Sequence, residues 1–254
     1  MSNSSPDQSI RWDDKGVPHS VHFRDKYFCT QNGYEEYRYI SGYGNGLEER
    51  FTKLDPSANG TFTIIETGFG TGMCFCCIWE LWDQFAPKSW KLHFISVELY
   101  PLSNADLDRA LSVWAPLAQY RQLLSAQYQP YQNEIRDFHF EEHRVRLTVV
   151  FADVVIALKK IYDENVAVEK ADAWLLNGFS PFANPQMWAP EVFQGMALLS
   201  KKGTTLSTFT VAGHVRRGLE AVGFSLKKIP GYGTKKQMLR GVFWPSVPER
   251  GSVA

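Results

Sequence analysis

The sequence predicts an α/β fold: a mostly parallel sheet flanked by helices, closed by an antiparallel hairpin and preceded by a β-rich extension. Three observations predict it. From residue 61 onward, short apolar runs rich in β-branched residues alternate with amphipathic stretches of helical length. A glycine turn, Gly68-Phe69-Gly70-Thr71-Gly72, joins the first such run to the first helix. Near the C-terminus, two further runs flank Pro230-Gly231-Tyr232-Gly233-Thr234 and read as an antiparallel pair around a loop.

Taken in order, residues 1–8 are polar, lack a secretory leader pattern and read as a frayed terminus. From about 10 to 60, tyrosines, phenylalanines and glycines alternate with charges, as in Gly33-Tyr34-Glu35-Glu36-Tyr37. This predicts short strands and turns forming a cap, with a short helix near 47–51. Seven strands are then expected at 61–66, 92–98, 145–151, 172–177, 204–210, 224–229 and 237–243. Helices are expected at 73–85, 103–126 with a break at Pro116, 153–160, 188–199 and 212–222. The stretch 127–142 is polar and holds Pro130, which predicts a surface loop. The pattern divides the chain into an extension (1–60), a main domain (61–245) and a tail (246–254).

With 254 residues the chain can bury one large core. Twenty-seven basic and 27 acidic side chains balance, so no global field draws it to nucleic acid or membrane. No apolar run approaches the roughly 20 residues that span a bilayer. Three of the four cysteines, Cys74, Cys76 and Cys77, follow the glycine turn without zinc-ligand spacing. Small apolar packing groups explain them better than metal or redox chemistry, and with no leader this points to a reducing cytoplasm.

The turn carries the chemistry. A dinucleotide fingerprint wants a glycine at its sixth position, where this chain has Met73, so a dehydrogenase is the weakest reading. A G-x-G-x-G turn preceded by an acid, Glu66, suits the amino-acid part of S-adenosylmethionine, whose ammonium needs a carboxylate. That assigns Glu66, Gly68, Phe69, Gly70, Thr71 and Gly72 to the cofactor, unless the turn binds nothing. Glu98 ends the next strand, where an acid accepts from ribose hydroxyls or simply meets solvent. Asp153, followed by Val154, accepts from an adenine amino group, caps the helix that starts there, or does both.

The fourth strand empties into Asn177-Gly178-Phe179-Ser180-Pro181-Phe182-Ala183-Asn184-Pro185-Gln186-Met187-Trp188. A methyl acceptor is expected against this loop. The Asn177 carbonyl oxygen can hold an amine but cannot act as a base; Phe179 and Trp188 are either core or substrate platform. Lys201, Lys202, Arg216, Arg217, Lys227, Lys228, Lys235, Lys236 and Arg240 share a segment whose only acid is Glu220. They form a polyanion-binding face or plain solvated surface.

A seven-stranded, Rossmann-like sheet with a terminal hairpin is the usual class I S-adenosylmethionine-dependent methyltransferase arrangement. Within that group the chain resembles the methyltransferase domain of the MnmC family of bacterial tRNA-modifying enzymes. The resemblance runs from Tyr27-Phe28 and Asn32-Gly33 through the turn to Gly241. It is densest in Asp172-Ala173-Trp174, Gly178-Phe179, Asn184-Pro185, Met187-Trp188, Thr208-Phe209-Thr210 and Val215-Arg216-Arg217-Gly218-Leu219. The tail strings Gly231-Tyr232-Gly233, Lys235-Lys236 and Met238-Leu239-Arg240-Gly241 match too.

The resemblance implies methyl transfer from S-adenosylmethionine to the aminomethyl nitrogen of a (2-thio)uridine at the tRNA wobble position. It implies Asn177 at the amine, and Tyr27, Phe28, Phe179, Pro181, Met187 and Trp188 on the substrate side. Arg216, Arg217, Lys235 and Lys236 would meet the anticodon arm. Two positions depart from the family: Asn177 stands for its usual aspartate, and Ala183 for its lysine. An amine of another small molecule or peptide, or RNA binding without turnover, are the alternatives. The chain ends without the flavin oxidase domain fused to many relatives, so other enzymes are expected to supply the aminomethyl group.

Overall fold

Strand-forming and helix-forming stretches alternate in the chain, and they assemble into an eight-stranded sheet with helices on both faces. The computed structural model describes residues 10–28, 31–130, 134–167 and 169–245. The expected frayed start, Cys29 and the tail 246–254 lie outside the described residues.

A small hairpin, β1 (Ile10–Trp12) and β2 (Pro18–Ser20), precedes a helical stretch. Helix α1 (Gly33–Tyr37) runs on through a π-helical turn, Arg38–Tyr43, to α2 (Leu47–Thr52). The main sheet then begins with β3 (Gly60–Thr67), α3 (Met73–Phe85) and β4 (Trp90–Val97). Helices α4 (Asn104–Leu111) and α5 (Ala118–Gln127) are separated at Pro116, which has no N–H to continue a helix. Next come β5 (Ile135–Phe140), β6 (Val145–Val150), α6 (Val154–Asp163) and β7 (Ala171–Leu176). The chain closes with α7 (Pro190–Leu198), β8 (Ser200–Thr208), α8 (Gly213–Ala221), β9 (Phe224–Pro230) and β10 (Gln237–Phe243).

The order across the sheet is β5-β6-β4-β3-β7-β8-β10-β9. Strands β6, β4, β3, β7 and β8 are parallel; β5 and β10 are antiparallel to their neighbours. The closing hairpin pairs as expected, with Gly241 opposite Leu226. Because β4 lies on one side of β3 and β7 on the other, the chain reverses direction across the sheet at β3, which opens a crevice there.

Two expectations need correction. The stretch 127–142 is not wholly a loop, since β5 pairs with β6 and makes an eighth strand. Its signal is a period of two: Phe138 and Phe140 turn into the core while Asp137 and His139 face out. The extension is not β-rich beyond its one hairpin. Tyr34, Tyr37 and Ile40 recur at helical spacing, and Leu47 and Phe51 are one turn apart. Phe51 packs edge-on against Phe62 and Trp82, so this segment shares one core with α3.

That packing explains α3, whose residues 73–82 are all buried. Helix α3 is sandwiched between the sheet and the helical extension, so it has no solvent face to make polar. Cys74, Cys76 and Cys77 are buried there as free thiols, and burial pushes each thiol well above its usual range. The opposite face of the sheet is covered by α6, α7 and α8 through Leu158, Phe193 and Leu219. Among the described residues, no helix is long and apolar enough to cross a membrane.

Candidate active site at the carboxyl edge of the sheet

Strands β3, β4, β6 and β7 end on the same edge, and a cavity of about 630 Å³ opens there. Gly68, Gly70 and Gly72 have φ of +100°, +53° and +73°, a region that side chains with a Cβ rarely adopt. Gly70 N–H donates to Glu98 Oε2 at 2.7 Å, and Tyr100 N–H donates to Oε1 at 2.8 Å. The Glu98 carboxylate thereby clips the turn to the end of β4. Burial raises the Glu98 carboxyl pKa, and the backbone N–H donors work against that rise.

Beneath the turn lies Glu66, 1% exposed, with Ser96 Oγ donating to its Oε2 at 2.8 Å. Burial pushes its carboxyl up to about 8, and the nearby Glu98 charge adds to the rise. Hydrogen bonds from Ser96, Cys74 and Asn177 oppose the rise without cancelling it. A carboxyl group in this state holds its proton at neutral pH until a cation arrives beside it.

Asn177, one residue beyond β7, sits against this group. Its Nδ2 donates to Ser41 Oγ at 2.9 Å and to Cys74 Sγ at 3.1 Å. With the amide nitrogen committed to protein partners, the amide oxygen is the atom left to accept from a ligand N–H. Ser41 belongs to the π-helical turn, a geometry often found where a helix must place one side chain out of register. A Cβ built on Gly68 would lie 3.4 Å from Gly178 Cα, so the glycine turn abuts the Asn177-Gly178 backbone directly.

The segment after β2 roofs the crevice. His22 stacks on Tyr100 with ring centroids 3.7 Å apart, and Phe23 meets Phe179 at 4.9 Å. Tyr27 lies edge-on to Phe179 at 5.2 Å and within van der Waals reach of Gly70. Burial first, and then the Glu98 charge, pushes the Tyr27 hydroxyl well above its usual range, so it stays neutral. On the far side Lys235 Nζ pairs with Glu36 at 2.9 Å while lying over the Phe209 ring, and all three residues line the cavity.

Of the residues expected at the site, Glu66, Gly68, Phe69, Gly70, Thr71, Glu98, Asp153, Val154 and Asn177 line the cavity. Tyr27, Phe28, Phe179, Met187 and Lys235 line it as well. Asp153 also caps α6, accepting from Val155 N–H at 2.9 Å, so its two readings coexist. Gly72, Pro181, Trp188, Arg216, Arg217 and Lys236 do not line it. Gly72 serves as the N-cap of α3, and the Trp188 indole is buried, donating to Phe179 C=O at 3.0 Å. Arg216 reaches its own helix at Glu220, and the Arg217 guanidinium folds back on Gly213.

The basic segment therefore forms no single face at the cavity. Lys201, paired with Asp172, and Lys202, over Trp244, sit where β8 begins, the end of that strand away from the crevice. Sequence reading missed Ser41, Cys74, Phe23, Tyr100 and Tyr232. Cys74 was masked by its apolar surroundings, and Ser41 and Phe23 come from an extension whose path over the crevice no local pattern encodes.

A profile of the S-adenosyl-L-methionine-dependent methyltransferase family matches residues 115–243. The chain is 44% identical over 235 residues to the tRNA 5-methylaminomethyl-2-thiouridine biosynthesis bifunctional protein MnmC of Methylobacillus flagellatus, covering 92% of this chain and 35% of that protein. It is 44% identical over 248 residues to the protein of the same description from Pseudomonas putida GB-1, covering 98% and 37%. The chain thus spans about a third of the length of these relatives. Its fold is similar to the crystal structure of MNMC2 from Aquifex aeolicus, with a TM-score of 0.71 at 18% identity, over 98% of this chain and 74% of that one.

Proposed function

The chain belongs to the S-adenosyl-L-methionine-dependent methyltransferase family, and on that premise we propose that it methylates the aminomethyl nitrogen of a wobble (2-thio)uridine in tRNA. The role of the MnmC relatives in tRNA 5-methylaminomethyl-2-thiouridine biosynthesis supports the substrate class, and the crevice supports the reaction type. A reaction on tRNA puts the enzyme in the cytoplasm, downstream of enzymes that install the aminomethyl group.

The residues present fit the cofactor. Gly68 and Gly70 line the cavity with backbone that carries no Cβ, and among the described residues no ion pair reaches the buried Glu66 carboxyl. Glu66 would hold the amino-acid end, Glu98 the ribose, and Asp153 with Val154 the base. When bound, S-adenosylmethionine supplies an electrophilic methyl group. Asn177 holds the acceptor amine through its amide oxygen and fixes its direction, which by itself is a large part of a methyl transfer. A carboxamide takes no proton, so the amine must reach it already neutral.

One observation carries the reading: the glycine turn and Asn177-Gly178 come together at one cavity, which the Glu66 carboxyl also lines. Calorimetry with S-adenosylmethionine should show one site, and Gly70→Asp or Glu98→Ala should weaken it about tenfold or more. Mass spectrometry of tRNA nucleosides should then show methylaminomethyl-uridine formed from the aminomethyl precursor. Unchanged cofactor binding in both variants would remove the site assignment. Methylation of a small amine with none of tRNA would replace the substrate.

A further inference from the structure

The loop between β7 and α7 carries a feature that neither the fold nor the cofactor explains. Phe182 is 98% exposed, whereas the next most exposed large apolar side chains, Trp244 and Tyr43, reach 59% and 58%. A phenylalanine held wholly in water contributes nothing to the core. None of the ring contacts among the described residues involves it.

The loop that presents it is nevertheless braced. Ser180 Oγ accepts from Ala183 N–H at 3.2 Å, and Asn184 N–H donates to Ser180 C=O at 2.9 Å. Pro181 and Pro185 restrict the backbone on either side, and the Trp188 indole anchors the loop to Phe179 C=O. Ser180 and Asn184, the residues two before and two after Phe182, both line the cavity. The backbone that carries the ring is therefore braced beside the crevice, five residues beyond Asn177, which lowers the ordering cost to a ligand that meets it.

We propose that Phe182 is a stacking platform for a nucleobase adjacent to the uridine that enters the crevice. This rests on the tRNA reading above. Drawing one base out of a single-stranded loop leaves its neighbour without a stacking partner, and an aromatic ring restores that contact for any base. The balanced net charge of the chain and the pairing of Lys235 with Glu36 leave few free cations at the mouth, so ring contacts must carry more of the affinity.

The test uses the full chain and an anticodon stem–loop RNA bearing the aminomethyl-uridine, with 5-iodouridine at either flanking nucleotide. Long-wavelength irradiation joins iodouracil to a stacked aromatic ring, and peptide mass spectrometry identifies the partner. A cross-link at Phe182 from one flank supports the proposal. In parallel, Phe182→Leu should raise KM for the stem–loop about tenfold with kcat at saturation retained, and Phe182→Trp should restore KM. A cross-link elsewhere, or none, with RNA bound and methylated, overturns it; so does an unchanged KM in Phe182→Leu. Native protein that binds no stem–loop at all overturns the tRNA reading instead, and the proposal with it. Thermal midpoints of the two variants matching the native protein exclude misfolding as the cause.

Discussion

At the level of single residues, the proposed chemistry of the crevice rests on two side chains. On that proposal Asn177 directs an amine but cannot relieve it of a proton, so transfer by this chain should accelerate with pH as the amine loses its charge. Asn177→Asp places a carboxylate against Ser41 and Cys74. The expected outcome is a kcat about ten- to a hundredfold higher near neutrality, with a flatter pH profile, read by single-turnover methyl transfer. Glu66 makes a prediction of opposite character. Its carboxyl is raised from 4.5 to about 8 in the fold, so the folded chain binds that proton more tightly than the unfolded chain. The group therefore favours the fold most below about pH 4.5, loses that contribution as pH rises towards 8, and changes nothing above it. Glu66→Gln should raise the thermal midpoint relative to the native protein, and by more at about pH 8 than at about pH 5. The same variant should lose most of the stabilisation that S-adenosylmethionine confers. Equal midpoint shifts at both pH values would place the strain elsewhere.

Elements show the same economy at a larger scale. Helix α3 is apolar all round because it is covered on two sides, and the cysteines, tryptophans and Phe75 within it fill that space. Strand β5 covers the edge of the sheet on the same face: Phe140 meets Trp79 at 4.6 Å and Phe75 at 6.0 Å. Trp79 in turn donates to Glu141 Oε1 at 2.7 Å, and Arg144 joins Glu141 to Asp83 on α3. The strand is thus tied to α3 by both rings and charges. Phe140→Ala should cost about 3–5 kcal/mol in chemical denaturation, a value appropriate to a buried aromatic ring rather than a loop residue. A cost under about 1 kcal/mol would mean that β5 is peripheral. The helix reading of α6, α7 and α8 follows from apolar periodicity and that of α3 from the length of its apolar run, whereas the polar outer residues of β5 and the nearby Pro130 outweigh its six-residue alternation.

The molecule as a whole carries no net charge, and several of its cations are already paired: Lys201 with Asp172, Arg216 with Glu220, Lys235 with Glu36. Binding of an anticodon stem–loop should therefore release few counterions. The expected slope of log affinity against log salt is about −2 or shallower, corresponding to roughly three phosphate contacts or fewer. Fluorescence anisotropy across a potassium chloride series measures it, and a slope near −5 would mean that the basic C-terminal segment acts together after all. The extension also belongs to this scale. It supplies part of the α3 core through Leu47 and Phe51, the Ser41 contact to Asn177, and the aromatic roof of Phe23 and Tyr27.

Local pattern alone determined the parallel sheet, the closing hairpin, the glycine turn and the acids at the ends of β3 and β4. Each depends on periodicity or on conformations that few residues adopt, and these are written in consecutive letters. Tertiary structure decided which basic residues reach the crevice, that Gly72 and Trp188 serve packing, and that Ser41 and Cys74 face Asn177. Those outcomes follow from contacts between distant segments, 136 residues apart for Ser41 and Asn177 and 199 for Glu36 and Lys235, whose energy belongs to the pair and leaves no mark on either stretch by itself.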